Sequence, residues 1–149
     1  MWDSMGTSGD DIDIFAVSEW DARALLELYR AGGWWKEEWD PSHIPVLVKS
    51  TFSFVVAVHR QSGRTVGMGR AISDGVSDAY IQDLVVLPEF RNRGVGKALL
   101  LRLVEICRAR GLSWIALVAE PGTSDFYQES GFVVMEGHVP MRYQGGESR

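Results

Sequence analysis

Residues 83–97, DLVVLPEFRNRGVGK, constrain the chain more than any other stretch. Its apolar run, Leu84, Val85, Val86 and Leu87, stops at Pro88, and Arg91-Asn92-Arg93-Gly94-Val95-Gly96 follows before an amphipathic pattern. That order predicts a strand, a glycine-bearing turn and a helix N-terminus. The first N–H groups of a helix lack intrahelical partners and its dipole places partial positive charge there, so such a junction suits phosphate. Gly94 and Gly96 let a ligand approach the backbone closely, and Arg91, Arg93 and Lys97 add cations. The predicted ligand is anionic.

The elements on either side can be read in order. Residues 12–17 alternate well enough for a first strand, and residues 18–31 read as a helix with Ser18 as N-cap, ended by Gly32-Gly33. Residues 52–59 and 65–72 form a hairpin about Gln61-Ser62-Gly63-Arg64, and Ser73-Asp74-Gly75 turns the chain into a third strand over 80–87. The helix that starts at Val95 carries apolar residues at Ala98, Leu99, Leu101, Leu103, Val104 and Ile106 and ends at Arg110-Gly111. A buried-type strand over 113–119 then implies a parallel pair with a right-handed crossover. A short helix over 124–130 is followed by two strands, 132–135 and 138–143, around Glu136-Gly137.

Composition narrows the function classes. With 149 residues, 46% hydrophobic and 23% charged, the chain can bury one core without covalent staples. We expect a fraying N-terminus over 1–11, a single domain over 12–144 and a tail over 145–149. The formal charge of −5 argues against a general nucleic-acid binder. Cys107 is the lone cysteine at a core position of a helix, which argues for a buried thiol in a reducing, cytoplasmic compartment. No apolar run reaches the ~18 residues of a membrane span, and no basic, apolar leader precedes the first strand. His43, His59 and His138 lack metal-ligand spacing, and Asp74, Asp78 and Asp83 lack calcium-loop spacing, so no metal is expected.

The glycines alone do not identify the anion. RNRGVG is neither G-x-G-x-x-G nor G-x-x-x-x-G-K-[ST], and it follows several antiparallel strands, where dinucleotide domains open with their motif. Val86-x-Pro88, then Arg91-x-x-Gly94-x-Gly96, then Phe126-Tyr127-Gln128-Glu129-Ser130-Gly131-Phe132 resembles the GCN5-related N-acetyltransferases. The likeness covers about residues 52–132 and extends to element order over nearly the whole chain. It implies a single-domain α/β acyl-CoA N-acyltransferase fold, with a mixed, mostly antiparallel sheet, a V-shaped split and flanking helices.

The same resemblance implies the chemistry. Acetyl-CoA would be the co-substrate, its pyrophosphate on the backbone from Arg91 through Asn92, Arg93, Gly94, Val95 and Gly96 to Lys97. Its pantetheine arm would pair with Leu84, Val85 and Val86 as another strand would, and a free N–H near Leu84 would polarise the thioester carbonyl. Tyr127 matches the family's general acid. Asp83 has two readings, a base that takes the ammonium proton through water or a structural carboxylate. Asn92 stands where many members have glycine, and Glu120 stands at a position that is often a cofactor-binding asparagine, which makes it a second carboxylate candidate near the amine.

Trp34 and Trp35 have two readings as well, core cover or the wall of a substrate pocket. Carboxylates with an aromatic pair suit a cationic amine that has an apolar body. The stretch from Arg70 to Gly94 also looks like the branch of small-amine and arylalkylamine acetyltransferases. The expected activity is direct acetyl transfer to a primary amine of a small molecule. The alternatives are a protein or peptide acetyltransferase, and a CoA-binding sensor or interaction module without catalysis. On family grounds a homodimer would form through the final strands.

Overall fold

The computed structural model describes residues 12–145. The expected fraying segment 1–11, and residues 146–149 of the expected tail, lie outside the described residues. The chain divides after Leu117 into two compact units. In the first, β1 (Ile12–Val17), β2 (Ser53–His59), β3 (Arg64–Ser73), β4 (Asp78–Val86) and β5 (Trp114–Ala116) form one sheet in the order β1-β2-β3-β4-β5. The first three pairings are antiparallel, and β4 and β5 run parallel. Three helices accompany the sheet, α1 (Ala22–Ala31), α2 (His43–Ser50) and α3 (Val95–Ala109).

Local chemistry sets the antiparallel part. Gly63 adopts φ 72 and its N–H donates to the His59 carbonyl at 2.8 Å, which closes the β2–β3 hairpin. The Asp74 carboxylate accepts from the N–H groups of Val76 and Ser77, both at 2.8 Å, and turns β3 into β4. A parallel neighbour needs a long crossover, and α3 supplies it between β4 and β5.

The core lies between the sheet and its helices. On one face, Gly67 and Gly69 of β3 make room for α3: a Cβ at Gly67 would stand 2.8 Å from Leu99, and one at Gly69 would stand 3.1 Å from Leu103. Leu99 and Leu103 are fully buried. Arg70, one step along the strand, faces away from α3 and toward α1.

Several sequence expectations needed correction. The first helix begins at Ala22, not Ser18, because Asp21 is its N-cap and accepts from the Arg23 N–H at 3.0 Å. Trp20 stays outside that helix, its indole N–H donating to Thr65 Oγ1 at 3.0 Å. Helix α2 was not anticipated. Its signal was Ile44 and Val48, four residues apart and both buried, with Pro45 tolerated in the first turn. The last strand of the sheet is three residues, Trp114–Ala116, instead of 113–119.

The second unit holds one helix, α4 (Ser124–Glu129), among its described residues. The expected strands 132–135 and 138–143 are absent from the described residues; Glu136-Gly137 is a turn, closed by the His138 N–H on the Met135 carbonyl at 3.2 Å. Strand propensity expresses itself only where a ladder and a buried face exist. Here Val133, Val139, Met141 and Tyr143 are 82%, 74%, 91% and 88% exposed, and Pro140 lacks a ladder donor.

Because the Gly67 hydrogens touch Leu99, Gly67→Ala should overpack this interface and cost about 1–3 kcal/mol. Chemical denaturation compared with the parent checks it; unchanged stability would mean that α3 is not in close contact with β3.

Candidate active site

The junction after β4 is built by its own residues. Leu87 donates its N–H to the Val66 carbonyl at 2.8 Å, so the chain stays on the sheet for one residue past β4. A single 3-10 turn follows at Pro88–Phe90. The Arg91 guanidinium then reaches back, and its Nε donates to the Val86 carbonyl at 2.8 Å. Arg91 therefore ties the start of the turn to the end of the strand. Arg93 lies over the Phe90 ring at 5.1 Å.

Two left-handed residues redirect the chain into α3: Asn92 with φ 63 and Gly94 with φ 83. Asparagine is among the few side chains that tolerate this region, which explains how it can stand where glycine is usual. Gly94 is the N-cap and offers no side chain, so the cap leaves the first N–H groups of α3 uncovered. The Ala98 N–H, bonded to the Gly94 carbonyl at 3.0 Å, begins the helical ladder. Arg91, Asn92, Arg93, Gly94 and Lys97 are exposed, Gly96 is half-buried and Val95 is buried. The arrangement is an accessible ring of backbone donors and cations at the positive end of a 15-residue helix.

Strand β4 has a free stretch. Its parallel pairing with β5 covers Asp78 to Tyr80, opposite Trp114 to Ala116. From Ile81 the strand has no β5 partner; β3 pairs with Ile81, Gln82, Val85 and Val86, and Asp83 and Leu84 fall in the gap between them. Leu84, Val85 and Val86, the expected pantetheine rail, fall in this stretch. Beyond Tyr80 this edge of β4 is open, at the place expected for the V-shaped split.

Within the same stretch the β3–β4 register shifts between Met68 and Arg70, a bulge that places Asp83 in the left-handed region with φ 59. Asp83 is 8% exposed. Its Oδ2 accepts from the Tyr29 hydroxyl at 2.8 Å and from Arg70 Nε at 2.7 Å. Oδ1 takes part in neither bond. Arg70 also reaches Thr51 Oγ1 at 3.3 Å and the Gln82 side-chain oxygen at 3.4 Å, so each of its nitrogens has an acceptor. Tyr29 and Arg70 were not picked out by sequence reasoning. The available signal was an arginine interrupting the apolar strand VGMGRAI, and a tyrosine one residue after buried Leu28.

The tryptophan pair separates. Trp34 meets Tyr29 edge-on at 6.3 Å and lies against Gly32, where a Cβ would come within 2.6 Å of the indole. Trp35 instead packs edge-on against Trp39 at 5.6 Å. Only Trp34 is therefore linked, through Tyr29, to Asp83.

In the second unit, Tyr127 sits on α4 between Phe126 at 4.9 Å and Phe132 at 6.1 Å, and its carbonyl accepts the Phe132 N–H at 3.1 Å. Burial and the nearby negative charge of Glu120 both push its hydroxyl above the ordinary tyrosine range. The hydroxyl is then protonated at neutral pH and able to donate. The Glu120 carbonyl accepts from Thr123 N–H and Oγ1 at the entrance to α4. Among the described residues, no group of three or more His, Cys, Asp or Glu could hold a metal, and no helix is long and apolar enough to cross a membrane. Cys107 is buried, which raises its thiol pKa.

The family model for the acetyltransferase (GNAT) family matches residues 14–132, and the chain belongs to that family. It is 41% identical over 137 residues to GCN5-related N-acetyltransferase 2, chloroplastic, of Arabidopsis thaliana, which covers 85% of the chain and 52% of that protein. It is 44% identical over 73 residues to serotonin N-acetyltransferase 2, chloroplastic, of Oryza sativa subsp. japonica, covering 49% of the chain and 36% of that protein. The chain spans about half the length of the curated relatives it matches. Among solved structures, a GNAT family acetyltransferase from Streptococcus pneumoniae TIGR4 superposes with a TM-score of 0.76 at 23% identity, covering 91% of this chain and 99% of that one. At that identity the likeness shows the fold, a five-stranded mixed sheet with flanking helices.

The raised Tyr127 hydroxyl should appear in an ultraviolet titration as a tyrosine ionising above the ordinary value near ~10. Tyr127→Phe should remove that signal. Glu120→Gln should move it to lower pH, since a neighbouring anion disfavours the phenolate; an unmoved midpoint would show that burial alone sets it.

Proposed function

We propose that the chain transfers the acetyl group of acetyl-CoA directly to a primary amine of a small molecule. The observation that carries this reading is the uncapped start of α3 following directly on the stretch of β4 that has no β5 partner. The residues fit the co-substrate: exposed backbone donors and Arg91, Arg93 and Lys97 suit a pyrophosphate, and Leu84 and Val85 offer a strand edge without a β5 partner to an extended, amide-bearing arm, up to the Val86 carbonyl that Arg91 holds.

Acetyl-CoA supplies the acyl group as an activated thioester. The N–H groups beside the bulge, near Leu84, would stabilise the negative charge that develops on the carbonyl oxygen. Asp83 accepts the proton of the incoming ammonium through a water on Oδ1, which gives the neutral amine that attacks. As the C–N bond forms and the C–S bond breaks, Tyr127 donates its hydroxyl proton to the departing sulfur. Glu120 offers a carboxylate to a cationic acceptor, and Trp34, with Trp35 beyond it, offers aromatic surface. The small-amine reading is supported by the relative named a serotonin N-acetyltransferase. A cytoplasmic compartment rests on the lone buried thiol, while both Arabidopsis and rice relatives carry chloroplastic names.

Thiol release from acetyl-CoA with tryptamine, spermidine, kanamycin and a lysine peptide tests the reading. Turnover with tryptamine or another small amine is expected, with Tyr127→Phe lowering kcat about 10²–10⁴-fold while acetyl-CoA still raises the melting temperature. Turnover with the peptide alone would replace the small-amine acceptor by a protein. Stabilisation by acetyl-CoA without turnover would leave a CoA-binding module.

The same reading includes a homodimer, supported by the exposed apolar side chains after α4. Sedimentation should show a dimer that Met141→Asp with Val139→Asp converts to monomer; a parent that sediments as a monomer overturns it.

A further inference from the structure

We propose that Arg70 and Tyr29 are positioning residues for acetyl transfer, clamping the Asp83 carboxylate by one oxygen so that the β4 bulge stays open and the other oxygen meets the acceptor amine. This inference rests on the acetyltransferase reading above.

Asp83 adopts φ 59, a left-handed conformation that aspartate tolerates better than most residues but that still asks its surroundings to hold it. The surroundings here do so. Asp83 is buried, and both of its side-chain hydrogen bonds, from Tyr29 at 2.8 Å and Arg70 at 2.7 Å, converge on Oδ2. Arg70 cannot swing, because its two terminal nitrogens are engaged with Thr51 and Gln82. Its anchors therefore come from Thr51, just before β2, and from β4 itself. Tyr29 is fixed from the helix side: it is 6% exposed and its ring meets Trp34.

Two bonds on one oxygen set the rotation of the carboxylate, and among the described residues they leave Oδ1 without a side-chain donor. Fixing the carboxylate also fixes the Asp83 backbone, and with it the direction of the Leu84 N–H that follows. The clamp thus couples two groups needed in one step, the proton acceptor and the oxyanion donor. Trp34, on the far side of Tyr29, brings the aromatic surface into contact with the same clamp. A bulky amine that displaces Trp34 is felt at Asp83 through one intervening ring.

The test uses Tyr29→Phe, which removes one oxygen and keeps the ring against Trp34, and Arg70→Lys and Arg70→Met. Kinetics are run with acetyl-CoA and whichever amine of the screen the parent turns over fastest, and acetyl-CoA binding is measured by calorimetry. Tyr29→Phe should lower kcat roughly tenfold to a hundredfold, as small misplacements of reacting groups do, with acetyl-CoA binding unchanged. Arg70→Lys should recover part of the loss in Arg70→Met, because it keeps the charge without the fixed fork. Added to Asp83→Asn, Tyr29→Phe should lower kcat no further, since both act through one carboxylate. If Arg70→Met does not fold, Tyr29→Phe and its combination with Asp83→Asn decide the matter. Parental kcat in Tyr29→Phe, an equal loss of acetyl-CoA binding, or full additivity with Asp83→Asn overturns the clamp. A parent inactive on every amine overturns the acetyltransferase reading and, with it, this inference.

Discussion

Strand β4 has a neighbour on both edges only near its start and on the β3 edge alone beyond Tyr80, and much of the molecule follows from that asymmetry. Backbone donors and acceptors inside a protein need partners, and a central strand normally finds them on both sides. Past Tyr80 the parallel neighbour is gone, while β3 continues to hold the strand in place. The bulge at Asp83 falls in this one-sided stretch, where bending the strand costs no β5 hydrogen bonds. What remains is a length of extended chain with an edge to offer and a core behind it.

That edge is useful only if the helix after it is close and rigid. Gly67 and Gly69 bring α3 against β3 at distances that any side chain would disturb, and Leu99 and Leu103 fill the contact completely. At its other end the helix is joined to β4 by a turn that Arg91 ties back to Val86. Strand edge and helix N-terminus are therefore fixed relative to one another by packing on one side and by a side-chain hydrogen bond on the other. An extended ligand with a phosphate end needs both features at a constant separation.

Charge is arranged with the same economy. The buried Asp83 carboxylate would be costly alone, and Arg70 supplies the opposite charge while Tyr29 adds a hydroxyl donor. The exposed pairs, such as Arg64 with Glu27 and Glu89, lie in water and contribute little each. In the second unit, burial first and the negative charge of Glu120 second raise the Tyr127 hydroxyl above the ordinary tyrosine range.

Much of this was legible in the residues. The hairpin strands, α3 and the glycine-bearing turn before it follow from alternation, helical spacing and glycine placement, all of which act over a few residues. The exposed cations and uncapped helix start of residues 91–97 are equally local, because they depend on a glycine-bearing turn and its immediate neighbours. Asp83 was visible as a carboxylate with two readings, but its partners Tyr29 and Arg70 lie 54 and 13 residues away and were not. The same holds for the separation of Trp34 from Trp35, decided by Tyr29 and Trp39. Residues 132–143 failed as strands because their alternation found no ladder to join. Sequence alone determined where the antiparallel strands, the turns between them and α3 lie; the tertiary structure decided which alternating segments become strands, which side chains share a buried charge and which strand edges stay open, since those depend on contacts between distant segments.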